Sequence, residues 1–182
     1  MNTLPASWNV LATAQTGALP RLRGVLCRFG RFHRAPFRGM MVGTVPDLGD
    51  FLEDMATASK RDPALLRVVA RAIPIDRVFG FTAEDLEERL RAAVAPYAER
   101  IGAGTFHVRV ERRGHKGELH TQPLERALDE YLIGLLAAQG NSARVNFDDP
   151  DWIIVVELVG SDCGVGALSR DQRRRYSFAR VR

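Results

Sequence analysis

Lysine is almost absent from this chain. Lys60 and Lys116 are the only two in 182 residues, against 24 arginines, so arginine at any one position says little about a need for a guanidinium. Cysteine is as sparse. Cys27 and Cys163 lie far apart and form no CxxC pair, which argues against a disulfide framework and places the protein in the cytoplasm. No apolar run reaches the roughly 18 to 20 residues that a membrane-spanning helix needs, so no membrane partner is expected. The N-terminal MNTLPASWNVLATA has no basic stretch ahead of an apolar one and does not read as a secretion signal.

Signatures of catalysis are also missing. The four histidines, His33, His107, His115 and His120, include no pair at the i, i+4 spacing of a helical zinc site. Ile101–Thr105 (IGAGT) is glycine-rich but lacks the GK[ST] of a phosphate-binding P-loop. Cys163 has no histidine near it in sequence and reads as a buried strand residue. Asp148, Asp149 and Asp151 surround Pro150 and read as a polar turn. The expectation is a non-catalytic protein with no metal and no cofactor.

What is present is a core and an uneven charge. Apolar residues make up 46% of the chain and charged residues 26%, which suits one domain or two small ones. Residues 19–45 hold six arginines and no acid, whereas residues 119–159 carry a net charge of −5. Residues 102–118 carry +2 and residues 160–182 carry +4. Three separated basic segments point to a polyanion as partner.

Hydrophobic periodicity predicts strands at Trp8–Ala14 and Phe37–Val45 and helices at Leu19–Phe29 and Asp47–Ser59. Leu65–Phe79 reads as extended in part, with Pro74 at an edge or bend. This β-α-β-α-β order, with room for one more short strand, predicts a ferredoxin-like unit over residues 1–80. Over residues 81–182, Thr82 and Asp85 start a helix that Pro96 kinks or shortens. Phe106–Arg112 alternates as a half-buried strand, and Thr121 caps a helix that Gly140 ends. Trp152–Val159 (WIIVVELV) reads as a central strand parallel to the one at residue 106, and Cys163–Leu168 as a last strand. The fold class is α/β (α+β).

The series FHVRVERRG, helix, VNFDDPDWIIVVELVG, turn, final strand resembles the THUMP domain, an RNA-binding module of tRNA-modifying enzymes. The upstream LLRVVARAIPIDRVFGFTAEDLEERL is similar to the stand-alone THUMP adaptors of tRNA cytidine acetylation. The resemblance implies a ferredoxin-like unit packed on a THUMP domain with a mixed sheet and flanking helices. It assigns the basic strand end to Arg112 and Arg113 and the family's Pro-Asp step to Pro150 and Asp151. It also implies a tRNA partner, recognised by shape and phosphate contacts. No catalytic domain follows Arg182 in this sequence, so the expectation is an adaptor that presents tRNA to a separate modifying enzyme. Two alternatives stay open: a basic protein-interaction module, and an RNA-modifying enzyme using Cys163 or the Asp148–Asp151 cluster.

The candidate RNA-binding residues are Arg109, Arg112, Arg113, His115 and Lys116 at the strand end, and Arg170, Arg173, Arg174, Arg175 and Tyr176 in the tail. The arginines would meet phosphates. Tyr176 would either stack on a base or, with Phe178, pin the tail to the core.

Overall fold

Residues 4, 5, 7–114, 117 and 119–181 are described in the computed structural model of the chain. Residues up to Ile75 together with Asp171–Arg180 form one unit, and Asp76–Arg170 form another.

The first unit follows the order β1 (Val10–Ala14), α1 (Leu19–Leu26), β2 (Arg31–Arg34), β3 (Met40–Thr44), α2 (Leu48–Arg61), a 3₁₀ turn (Pro63–Arg67) and β4 (Val69–Pro74). Its four-stranded sheet is antiparallel throughout, in the order β2-β3-β1-β4. That is the split βαββαβ arrangement of ferredoxin-like units. Asp47 caps α2 by accepting from the Asp50 amide at 2.8 Å, and the helix buries Phe51, Leu52 and Met55. The short strand without an apolar alternation is β2 (RFHR), where Phe32 alone is buried. Phe32 stands opposite Gly43, where an added Cβ would lie 2.3 Å from a ring carbon. Glycine at that position is what lets the ring lie across the partner strand.

The tail joins this unit, whereas the expected boundary at residue 80 gave it to the second. β4 is an outer strand, and its Ala72 amide donates to the Phe178 carbonyl at 2.9 Å. Covering an exposed strand edge in this way removes unpaired amides from solvent. Phe178 is 1% exposed and Tyr176 7%, their rings stacked with centroids 5.9 Å apart. The Tyr176 hydroxyl donates to Glu53 Oε1 at 2.6 Å, and Arg175 pairs with Glu53 Oε2 at 2.7 Å. The tail is pinned, with aromatics as the anchor.

The second unit runs β5 (Arg77–Gly80), α3 (Leu86–Val94), α4 (Tyr97–Ile101), β6 (Thr105–Arg113), α5 (Thr121–Ala138), β7 (Arg144–Val145), β8 (Trp152–Val159) and β9 (Asp162–Ser169); α6 (Arg170–Arg175) follows. Its sheet has the order β5-β9-β8-β6-β7. β6 is parallel to both β7 and β8, and β9 is antiparallel to β8 and β5. Pro96 separates α3 from α4, as expected of a residue that breaks helical hydrogen bonding. Leu86, Leu90, Val94, Tyr97 and Ile101 still face one core with Leu128, Leu132 and Leu136 of α5. Gly140, at φ 79°, ends α5 in the left-handed conformation. Thr121 is not the cap of that helix: His120 holds the cap position and makes no side-chain capping bond. β7 has only two residues, too few to leave a periodic signal. β8 is buried from Ile153 to Val159, and among the described residues no helix is long and apolar enough to cross a membrane.

The tail supplies a stability prediction. Phe178→Ala empties a fully buried ring site on the first unit and costs about 3–5 kcal/mol. Urea unfolding should show the midpoint fall by the matching amount. A midpoint unchanged within error would mean that the tail is not part of the folded unit.

Candidate nucleic-acid interface

β6 lies between β8 on one side and the two-residue β7 on the other, so most of its second edge has no strand partner. Helix α5 fills that role with side chains. Asp129 Oδ1 accepts from the Val108 amide at 2.7 Å, and Glu125 Oε1 accepts from the Val110 amide at 2.8 Å. The geometry follows from two repeats. Residues i and i+4 on a helix rise about 6 Å, and alternate amides on a strand are about 6.6 Å apart. Each such hydrogen bond to a buried strand amide spares that amide an unsatisfied burial, which costs about 1–3 kcal/mol. The two bonds fix the direction of β6 and therefore where its C-terminal arginines stand.

The far end of β6 opens into a groove of about 400 Å³ lined by Val110, Glu111, Arg112, Arg113, Gly114 and Thr121. Arg112 donates to the Gly114 carbonyl at 3.1 Å, a neutral partner that leaves its charge uncompensated by that bond. Arg113 pairs with Glu111 at 3.1 Å, and Arg109 reaches Glu125 at 3.5 Å. His115 and Lys116, expected in this cluster, lie outside the described residues.

The tail residues take partners within the protein, and of the two roles open to Tyr176 the pinning one is observed. Arg170 pairs with Asp149 at 3.1 Å and Asp151 at 2.8 Å, fastening the loop before β8. Arg175 is held by Glu53, and Tyr176 is buried against the first unit, so its ring offers no face to a base. The Tyr176 hydroxyl, then the Arg175 guanidinium, hold the Glu53 carboxyl below its usual range. Arg173 is half-buried and Arg174 exposed.

A second basic surface lies in the first unit, among residues that the expected site omitted. Two adjoining grooves of about 330 and 610 Å³ share Leu19, Pro20 and Arg34. Arg23 and His33 line one and Arg38 the other, and among the described residues no carboxylate lines either. The signal was the acid-free run of residues 19–45. The sequence could not show that these arginines converge on one groove system.

Of the residues weighed for chemistry, Cys163 is enclosed, Asp149 and Asp151 are engaged, and Asp148 is exposed. Cys163 is fully buried, and burial holds its thiol above the ordinary range. Asp151 accepts from the Thr105 amide and hydroxyl, both at 2.8 Å. Those two bonds, with Arg170 adding to them, hold its carboxyl below the usual value. Among the described residues no group of three or more His, Cys, Asp or Glu could hold a metal ion.

With this geometry in view, the family comparison bears on the second unit. Residues 81–168 match the THUMP domain. The THUMP domain thus includes β6, α5, β7 and β8, and nearly all of β9. No curated protein matches the chain. Among solved structures, the fold is similar to TrmN from Thermus thermophilus, with a TM-score of 0.64 at 19% identity over 88% of this chain and 45% of that one. It is similar also to PH1313 from Pyrococcus horikoshii Ot3, with a TM-score of 0.59 at 12% identity over 90% of this chain and 55% of that one. A 4-thiouridine synthetase bound to RNA and ATP has a TM-score of 0.50 at 13% identity over 90% of this chain and 42% of that one. The chain spans about half the length of these structures. At such identities the likeness is one of fold.

Asp129 makes the stability of the second unit depend on pH. Burial, with the nearby Glu125 charge adding to it, pushes the Asp129 pKa up to about 7, while the Val108 amide bond opposes the shift. The unfolded chain releases that proton near 3.9. Between these values the folded state holds more protons, so stability falls as pH rises from about 4 to about 7. Asp129→Asn keeps the oxygen that accepts from Val108 and removes the titration. Urea midpoints measured from pH 5 to 8 should decline less in the variant than in the parent. Parallel curves would remove Asp129 from this role.

Proposed function

We propose that this protein binds folded tRNA through phosphate contacts and presents it to a separate tRNA-modifying enzyme. The observation that carries the reading is a THUMP domain whose strand β6 ends in Arg112 and Arg113 at an open groove. Phosphate contacts position a nucleic acid without reading its sequence. Arginines at the end of a strand fixed along both edges suit that task. The acid-free grooves of the first unit, with Arg23, Arg34 and Arg38, supply further cations for the same polyanion. One protein of the same fold is a 4-thiouridine synthetase in complex with RNA, which supports the choice of RNA as partner. In this reading the chain itself is non-catalytic. A cytidine acetyltransferase is one enzyme to which it would deliver substrate.

Salt dependence tests the reading. Each phosphate neutralised contributes about −0.7 to −0.9 to the slope of log K against log salt. Arg112→Glu is the variant of choice, because the bond that Arg112 makes among the described residues goes to the neutral Gly114 carbonyl. It should weaken tRNA binding, flatten the slope by about 1, and leave the unfolding midpoint within about 0.5 kcal/mol of the parent. The pair Arg34→Glu and Arg38→Glu should flatten it by about 2. Affinity for tRNA that does not change between low and moderate salt would remove the phosphate reading. Modification of tRNA by the purified chain alone would remove the adaptor reading.

A further inference from the structure

Phe147 is 71% exposed, alone among the large apolar side chains of the described residues. It lies in the loop between β7 and β8 that joins two strands flanking the start of β6. Its ring leans on His107, with centroids 5.4 Å apart and planes tilted by 33°. The imidazole is itself fixed: its Nδ1–H donates to the Asn146 carbonyl at 2.9 Å. Asn146 Oδ1 then accepts from the Asp148 amide at 2.9 Å, which folds the backbone tightly around Phe147. On the far side Arg170 holds Asp149 and Asp151, and Asp151 is bound to Thr105. The ring is therefore presented outward from a loop anchored on both sides, with one face leaning on His107.

The charge around it selects the kind of ligand. Asp148, exposed, follows Phe147 directly in the loop, and Asp149 and Asp151 beyond it pair with Arg170. A carboxylate beside the ring disfavours a phosphate. A nucleobase is not disfavoured, because its flat face stacks on an aromatic ring and its amino donors suit a carboxylate. Guanine suits the site best, since its N1–H and N2–H donors lie side by side and match the two oxygens of a carboxylate. We infer that Phe147, resting on His107, is a stacking platform for an unpaired guanine, with the exposed Asp148 carboxylate accepting from the base edge. The inference rests on the RNA-binding reading above and adds a base-reading site to its phosphate contacts.

The test uses the full chain and two fluorescent heptanucleotides in low salt, UUUGUUU and UUUUUUU, beside tRNA. The parent protein should bind the guanosine-containing strand more tightly. Phe147→Ala should lose about 5- to 150-fold in affinity for it, the range that removal of one stacking side chain gives. Phe147→Trp should keep the affinity. Asp148→Asn should erase the preference for guanosine and leave oligouridine binding unchanged. Thermal midpoints should not move in any variant, since both side chains are exposed. If Phe147→Ala binds both strands as the parent does, the platform is overturned and the ring serves some other contact, such as a protein surface. Binding of tRNA without any binding of the heptanucleotides overturns the platform and leaves the phosphate reading standing. Failure to bind any of the three RNAs overturns both.

Discussion

Two carboxylates hold this structure to its shape. β6 is a strand whose outer edge is covered for two residues by β7 and then left without a strand partner. Unpaired amides in a buried strand are costly, and an open edge invites pairing with another chain. Glu125 and Asp129 meet both demands from α5. Because they sit one helical turn apart and bond alternate amides, they fix the helix antiparallel to the strand and set its register along it. Leu128, Leu132 and Leu136 then fall on the apolar face of the sheet. One exchange, side-chain acceptors in place of a strand, thus orients the longest helix and determines where the strand delivers its arginines.

The same economy explains how the basic residues divide. Arginine is abundant in this chain, but much of it is structural. Arg170 ties the loop before β8, Arg175 ties the tail to Glu53, and Arg89 and Arg91 pair with acids one turn earlier on or beside α3. A guanidinium already paired with a carboxylate offers a phosphate less net charge, and Arg113, paired with Glu111, stands beside Arg112 in that state. Among the described residues, Arg112, bonded to a carbonyl, and the grooves that hold Arg23, Arg34 and Arg38 differ in this respect. Net charge marks three basic segments, and only the partners of each arginine separate fasteners from contacts.

Much of the fold was legible because periodic burial writes itself into sequence. Leu86–Ile101, Leu124–Leu136 and WIIVVELV each carry a pattern that tertiary packing had no cause to override. The missed elements are those with no pattern to read. β2 buries a single ring against a glycine, β7 has two residues, and α6 (RDQRRR) buries none. Sites fared less well for a related reason. The strand-end arginines stand out as a cluster, whereas the choice between stacking and pinning for Tyr176 turns on Glu53 and the edge of β4, more than a hundred residues away in sequence. Phe147 was legible only as a member of a family pattern. Nothing local distinguishes an aromatic that will be buried from one that will be left out.

β6 also acts as a ruler. Its first residues hold the aromatic, acidic loop through His107 and Thr105, and its last residues carry Arg112 and Arg113. From His107 to Arg112 the strand advances five residues, about 17 Å at an extended rise. The two ends differ in sign and in chemistry, and neither can move toward the other, because β8 pairs with every residue of β6 from Phe106 to Arg113. In the proposed complex a partner has to present phosphates at one end and an unstacked base at the other, at a fixed separation. A uniform duplex buries its bases along its whole length and meets only the first demand. A folded RNA whose helix gives way to an unpaired segment meets both, so the rigidity of one strand becomes a criterion of shape.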